Sequence, residues 1–170
     1  ETWLKRMTMT KGYLLDTNII SHLIRALNNE TSAQCTNVLK HYQCHEKDAR
    51  IFICAATTGE IEYGLNISTT PDPVVQQQVR EILDIFPEVL KIDKHIAAEQ
   101  YAILRANIFN KYAPKNKRGR AKTRYLEEWC DPTTGKTMGI NENDIWIASV
   151  ALAYNLHLVT DDGMDRIVSV

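Results

Sequence analysis

Apolar and polar positions along the chain fall into blocks that predict strands separated by helices. Short apolar runs such as Tyr13-Leu14-Leu15 and Ile51-Phe52-Ile53 predict buried strands, and apolar residues at helical spacing between Ile96 and Ile108 predict a long helix. The predicted strands are residues 12–16, 50–56, 89–93, 157–160 and 166–169. The other predicted helices are residues 18–28, 31–45, 58–66, 73–84 and 143–154. This alternation predicts an α/β fold, a three-layer α/β/α sandwich around a mostly parallel central sheet.

A carboxylate stands at a strand end or a helix start in four places. Asp16 ends the first strand, Glu60 lies in the first turn after the second strand, Asp144 opens the last long helix, and Asp161-Asp162 follow residues 157–160. One such acid alone would be interpreted as a helix cap. Because the carboxyl ends of parallel strands lie at one edge of a sheet, all four stations are predicted to converge there.

Placing four carboxylates close together is unfavourable unless something offsets their mutual repulsion. Two unit charges about 4 Å apart repel by about 1 kcal/mol in water and about 4 kcal/mol at an effective dielectric constant of 20. Cations would relieve that repulsion, and ligands that are all oxygen favour Mg²⁺ or Mn²⁺ over Zn²⁺. Such ions activate water and stabilise charge on a phosphodiester, so the motifs predict nuclease chemistry.

Composition and length limit the alternatives. A chain of 170 residues with 44% hydrophobic and 24% charged residues predicts one globular domain, residues 11–170. Residues 1–10 are expected to precede it as a disordered start or a cloning remnant. Apolar runs long enough for a membrane span or a signal peptide are lacking. The four cysteines have irregular spacing, which favours a reducing, cytoplasmic setting over a disulfide framework. The group His41, Cys44 and His45 lacks a second pair at zinc-ligand spacing and is expected on an exposed helix face.

Residues 111–135 interrupt the alternation as a basic insertion within the domain. Pro114 and Gly119 predict a loop. It is either a solvated loop or a contact for a polyanion, and its position beside an acidic station favours binding of the RNA backbone. The candidate RNA-binding residues are Lys115, Lys117, Arg118, Arg120, Lys122 and Arg124.

The four acidic motifs together resemble a known family. Leu14-Leu15-Asp16-Thr17-Asn18, Thr57-Thr58-Gly59-Glu60, Asn143-Asp144-Ile145-Trp146 and Val159-Thr160-Asp161-Asp162 are similar, in order, to the four motifs of PIN domains. The closest subgroup is that of the VapC ribonuclease toxins of bacterial toxin–antitoxin pairs. The resemblance implies a Mg²⁺- or Mn²⁺-dependent endoribonuclease that cleaves RNA, forms a homodimer and is inhibited by a cognate antitoxin near the acidic groove. The implied metal-binding and catalytic residues are Asp16, Glu60, Asp144 and Asp162, supported by Thr17, Asn18 and Thr160.

Two positions near the motifs are ambiguous. Glu62 could be taken for the second acid, but two residues along a helix it points about 200° away from Glu60 and is expected to be exposed. Thr160 and Asp162 alternate onto the same side of the strand end, which favours Asp162 over Asp161 as the fourth acid.

Two other functions stay open at this point. One is a PIN-like module that binds RNA or a partner without cutting, although the presence of all four acids argues against it. The other is an aspartate-nucleophile phosphatase of the haloacid-dehalogenase type. That chemistry calls for a second acid two residues after the first, where Asn18 stands.

Overall fold

The structure, a computed structural model, describes residues 12–123 and 125–170. Residues 1–10 and Arg124, for which the sequence makes predictions, lie outside the described residues. Four strands form one sheet in the order β3-β2-β1-β4, and every pairing in it is parallel. The strands are β1 (Gly12–Leu15), β2 (Arg50–Cys54), β3 (Val89–Leu90) and β4 (His157–Val159).

Seven α-helices connect and flank the strands in the described part of the chain. They are α1 (Thr17–Leu27), α2 (Ala33–His45), α3 (Ala55–Asn66), α4 (Pro73–Leu83), α5 (Ala102–Tyr112), α6 (Glu142–Ala153) and α7 (Asp165–Val168). A π-helical segment, Ile96–Tyr101, leads into α5, and a short 3-10 turn covers Leu126–Glu128.

Side chains of the sheet pack against helices on both faces, which confirms the predicted three-layer α/β/α sandwich. On one face Leu15 and Ile53 pack with apolar residues of α1, α3 and α4. On the other face Leu14 and Phe52 pack with the π-helical segment and α6. This alternation is what the two-residue period of a strand produces when both faces are buried.

A third apolar cluster lies beside the sandwich and includes the insertion. Leu126, Trp129, Met138 and Ile140 are buried there with residues of α5, α6 and α7. Helix α5 continues to Tyr112, so the loop begins after it. Antiparallel bridges join Lys115 to Ala121 and Cys130 to Thr137. The segment between α5 and α6 is therefore folded onto the domain.

Four of the predicted elements differ clearly from the structure. Residues 166–169, predicted as a strand, belong mostly to the short helix α7, so that prediction is wrong. Strand β2 ends at Cys54 and α3 begins at Ala55, earlier than the predicted helix start at 58. Strand β3 is only Val89–Leu90, shorter than the predicted 89–93. None of the helices described is both long and apolar enough to span a membrane.

Candidate active site at the acidic edge of the sheet

Asp16 is the most buried of the four predicted acids, with 3% of its surface exposed. It caps α1, and its Oδ1 accepts a hydrogen bond from the backbone N of Thr17 at 2.6 Å. Its Oδ2 accepts one from Thr160 Oγ1 at 2.7 Å. Burial raises the pKa of Asp16, hydrogen bonds from Thr160 and Thr17 lower it, and the charges of Glu60 and Asp162 raise it further. The carboxylate is therefore held in place but destabilised as an anion.

Glu60 links α3 to the two helices that carry the other acids. The Thr17 hydroxyl donates to Glu60 Oε2, and Asn143 Nδ2 donates to Glu60 Oε1 at 2.7 Å. Glu62 lies elsewhere, because both of its oxygens accept hydrogen bonds from Arg80 of α4 at 2.8 Å. Those bonds, the largest influence, hold the pKa of Glu62 below its usual value. The structure thus places Glu60, and not Glu62, among the acids.

Asp144 lies in the first turn of α6, whose N-cap is Asn141. Burial, followed by the charges of Asp16, Glu60 and Asp162, raises the pKa of Asp144 from 3.8 to about 7. A backbone hydrogen bond at Asn141 acts in the opposite direction. The charges of Asp16, Glu60 and Asp162 all act on Asp144, so the four acids lie in one electrostatic neighbourhood.

Asp162 is oriented by Asn18 from the first motif. Asn18 Nδ2 donates to Asp162 Oδ2 at 3.0 Å and to Thr160 Oγ1 at 3.1 Å, and Asn18 Oδ1 accepts from the backbone N of Asp161 at 3.2 Å. The Asp161 carboxylate instead contacts His22 Nε2 at 3.3 Å. Both carboxylates contact α1, Asp162 through Asn18 and Asp161 through His22, but only the charge of Asp162 acts on Asp16 and Asp144.

His22 is a residue of this edge that sequence reasoning missed. Its side chain is only 14% exposed, and its Nδ1 lies 2.7 Å from Arg25 Nη2. Because a guanidinium can only donate, Nδ1 accepts and the Nε2–H of a neutral ring is left to donate to Asp161. His22 is one helical turn after Asn18, on the same face of α1. That spacing was the available signal, but the contact with Asp161 spans 139 positions of sequence.

An aromatic stack fixes the helix that carries Asp144. Tyr101 and Trp146 have ring centroids 3.6 Å apart and an interplanar angle of 5°. The Tyr101 hydroxyl donates to Glu142, and Arg105 Nε also donates to Glu142, at 3.3 Å. Burial, with the Glu142 hydrogen bond, raises the pKa of Tyr101 to about 12. The first turn of α6 is thus tied to the π-helical segment and α5.

The four predicted ligands suit a metal ion by their chemistry, but their positions in the structure do not form a ligand cluster. All four predicted ligands are carboxylates, the oxygen donors that Mg²⁺ and Mn²⁺ prefer. Two of them, Asp16 and Asp144, have pKa values raised partly by neighbouring negative charge. However, across residues 12–123 and 125–170 no three His, Cys, Asp or Glu side chains stand close enough together to hold a metal ion. The chemistry of the site therefore suits a divalent cation, whereas the described side chains do not form a ligand cluster around one centre.

Five of the six predicted RNA-binding residues, all except Arg124, lie on a tight turn that we name the basic hairpin, residues 114–122. Asn116 organises it, because its Oδ1 accepts hydrogen bonds from the backbone N of Arg118 at 2.9 Å and of Arg120 at 3.2 Å. Lys115 is already engaged, since its Nζ donates to Asn110 O at 3.1 Å and lies over the ring of Phe109.

Four further cations of the basic hairpin are exposed: Lys117, Arg118, Arg120 and Lys122. Within the described residues, their side chains make no hydrogen bond or ion pair, either with the four acids or elsewhere. The structure therefore presents these charges to solvent and does not bring them into contact with the acidic edge.

The fold and the acidic edge together define a class of protein. A parallel sheet between helical layers, with four carboxylates where its strands end, is the arrangement of PIN domains. The model of the PIN domain family matches residues 13–167, and the chain belongs to that family. This confirms the resemblance predicted from the four motifs. PIN domains are generally nucleases.

Several solved structures share this fold. A crystal structure of VapBC2 from Rickettsia felis, bound to a DNA fragment from their promoter, is 23% identical and covers 92% of each chain with a TM-score of 0.60. FitAcB from Neisseria gonorrhoeae is 20% identical over 92% of this chain and 91% of that one, with a TM-score of 0.58. FitAB bound to the IR36 DNA fragment is 21% identical over 92% and 90%, also at 0.58. No match was found among curated protein sequences.

Proposed function

We propose that this PIN domain is a Mg²⁺- or Mn²⁺-dependent endoribonuclease and the toxin of a type II toxin–antitoxin pair. The observation that carries the proposal is that carboxylates from four separate motifs lie in one electrostatic neighbourhood, where hydrogen bonds from Thr17 and Asn143 join Glu60 to α1 and α6. Membership of a family that generally consists of nucleases supports it. Asp16, Glu60, Asp144 and Asp162 are the residues that would hold the metal. Bound there, it would supply activated water and stabilise charge on the leaving oxygen.

The chain's own residues orient these carboxylates and control their protons. Thr160 directs Asp16, Asn143 directs Glu60, and Asn18 directs Asp162. Such supporting hydrogen bonds commonly matter almost as much as the ligands themselves. Asp144, with a pKa of about 7, holds a proton for part of the time at neutral pH and must release it when a cation binds.

Metal-dependent cleavage is the direct test of the proposal. The wild-type chain should cut single-stranded RNA in Mg²⁺ or Mn²⁺ and not in EDTA. Asp16→Asn, which changes a proposed ligand itself, should reduce the rate by at least the roughly 10–100-fold that loss of a partner supporting a ligand costs. Glu62→Gln is the matched control, because Glu62 lies on the same helix as Glu60 but pairs with Arg80. Undiminished cleavage by Asp16→Asn would contradict the proposal. RNA binding without cleavage would favour the non-cutting module, and release of phosphate from a phosphomonoester would favour the phosphatase.

We also propose that the basic hairpin holds the RNA backbone. Each phosphate contact contributes about −0.7 to the salt slope of single-strand binding, so changing Lys117, Arg118 and Arg120 to Ala should weaken binding and flatten that slope. Folding should be spared, because solvated surface charges contribute little to stability. The control removes the same charge from exposed positions at or before β2: Lys40, Lys47 and Arg50. Equal slopes for the two triple variants would mean that the hairpin has no part in holding RNA.

A protein partner and a second copy complete the proposal. VapBC2, FitAcB and FitAB are among the solved structures with this fold, and they are toxin–antitoxin complexes. We therefore propose a cognate antitoxin, encoded beside this chain, and a homodimer. All four cysteines are free thiols, in keeping with action in the cytoplasm. Co-expression with the neighbouring small protein should suppress RNA cleavage, and light scattering should give twice the mass of one chain. A monomer would refute the dimer without touching the nuclease proposal.

A further inference from the structure

A pocket of about 480 Å³ adjoins the acidic edge. Asp144 and Asp162 line one side of it, and Glu127, Thr137 and Ile140 from the segment between α5 and α6 line the other. Its volume lies within the range of small-molecule pockets in proteins. A group placed in this pocket would therefore lie beside two of the four proposed catalytic acids.

The wall contributed by the insertion is folded in advance. Leu126, Trp129 and Ile140 are each at most 2% exposed, and the backbone N of Met138 donates to Trp129 O at 2.7 Å. Buried apolar side chains on both sides of the pocket-lining residues fix their positions. The pocket is thus a built feature of the domain and does not depend on a guest to form it.

The charged residues that line the pocket are all acidic. They are Glu127, Asp144 and Asp162, and neither Lys nor Arg is among the described residues that line it. Glu127 is not among the proposed metal ligands, so its charge is not offset by a cation and would repel a phosphate placed beside it. Ile140 and Met164 add apolar surface. The guest that suits this lining is neutral, partly apolar and rich in hydrogen-bond donors.

Glu127 is the residue placed to read such donors. Its Oε1 accepts a hydrogen bond from the backbone N of Glu142 at 3.1 Å, at the first turn of α6. That contact orients the side chain, and a carboxylate retains further acceptor positions on both oxygens. A carboxylate accepts from the amino groups of bases, as Glu and Asp do from the N4 amino group of cytosine.

We propose that this pocket binds a nucleobase that carries an exocyclic amino group, splayed out of single-stranded RNA next to the cut bond, and that Glu127 determines this specificity. Adenine, cytosine and guanine present such a donor, whereas uracil, which shares only a ring N–H donor with guanine, has a carbonyl oxygen where cytosine has its amino group, and Glu127 would repel that oxygen. Single-stranded RNA is commonly read through splayed-out bases, by the edges that pairing would otherwise cover. The inference rests on the proposed ribonuclease function and adds the class of base.

Binding of short homopolymeric RNAs in EDTA tests the pocket separately from cleavage. Fluorescence anisotropy would compare oligo(A), oligo(C) and oligo(U) on the wild-type chain, Glu127→Gln and Glu128→Gln. Glutamine keeps an oxygen that can accept the hydrogen bond from the backbone N of Glu142. It also adds an amide N–H that can donate to the carbonyl oxygen of uracil. Glu128 is the matched control, an exposed acid of the same turn that does not line the pocket. The wild type and Glu128→Gln should prefer oligo(A) and oligo(C) over oligo(U) by about tenfold, and Glu127→Gln should bring the ratio towards unity.

A parallel cleavage assay in Mn²⁺ separates the two proposals. Cleavage without base preference, or a preference unchanged in Glu127→Gln, would overturn the nucleobase pocket and leave the nuclease standing. A Glu127-dependent preference in binding without any cleavage would sustain the pocket as a base-binding site and overturn the ribonuclease. A wild-type chain that neither binds nor cuts RNA would overturn both.

Discussion

Asp144→Asn should make the metal-free protein more stable at neutral pH. Burial and the charges of three other acids raise the pKa of Asp144 from 3.8 to about 7. Between those values the folded protein retains a proton that the unfolded chain has released, so stability falls as pH rises through this window. Asparagine has nearly the same shape as aspartate but carries no charge, so the variant should not lose stability as the pH rises.

The expected gain in stability follows from the shift in the pKa of Asp144. A rise from 3.8 to about 7 corresponds to about 4 kcal/mol at about 1.4 kcal/mol for each pH unit. Asp144 is only partly buried, and screening by water reduces that figure to about 1–2 kcal/mol. For a chain of this length, each 1 kcal/mol moves the melting temperature by about 2–4 °C. The variant should therefore melt about 2–8 °C higher than the wild type in EDTA near pH 8, above the raised pKa.

Urea unfolding followed by circular dichroism, in EDTA at high and low pH, measures the difference. Near pH 3, below the ordinary pKa of 3.8, both states carry most of this proton and the stabilisation should nearly vanish. Asp161→Asn is the matched control, because that neighbouring carboxylate is 59% exposed and faces His22. A gain of the same size at both pH values, or an equal gain in Asp161→Asn, would refute the electrostatic reasoning.

Three further outcomes are expected. Millimolar Mn²⁺ should raise the melting temperature of the wild type, because a ligand that binds only the folded state stabilises it, and Asp16→Asn should lose most of that rise in a thermal-shift assay. His22→Ala should slow RNA cleavage, because Asp161 loses the partner that holds the loop carrying Asp162. His22→Gln keeps a hydrogen-bond donor and should recover part of the cleavage rate. If His22→Gln recovers nothing, His22 has a packing role alone. Trp129→Ala should destabilise the fold by about 3–5 kcal/mol in urea unfolding, since the ring is 1% exposed, and a smaller loss would mean that the insertion is not part of the core.

The parts of the fold that could be predicted are those with strong local patterns. Strand β1 ending in Asp16 and helix α6 opening with Asp144 combine a clear apolar run with a polar start or stop. Helix α7 could not be predicted in this way, because β-branched Ile167 and Val168 favour a strand by propensity. Their backbone N atoms instead both donate to Met164 O, at 2.8 and 3.0 Å. Contacts of this last segment with distant parts of the chain outweigh its propensity.

The candidate site also has residues that could be predicted from the sequence and residues that could not. The four acids can be recognised from the sequence because each stands at a strand end or a helix start. Thr17, Asn18 and Thr160 lie beside them in the motifs. Glu127 and His22 carry no such local sign. Glu127 matters because a folded insertion brings it to the start of α6, and His22 because it meets Asp161. Both are consequences of tertiary packing, which a pattern of apolar spacing does not encode.

The contacts that hold the acidic edge join distant parts of the sequence. Thr17 bonds Glu60 across 43 positions, Asn143 bonds Glu60 across 83, and Thr160 bonds Asp16 across 144. Domains are synthesised from the N-terminus, and such long-range contacts form only when both ends are available. A chain still emerging from the ribosome therefore cannot assemble the acidic edge until residue 162 has been made. The nuclease we propose would be harmless to the machinery translating it up to that point.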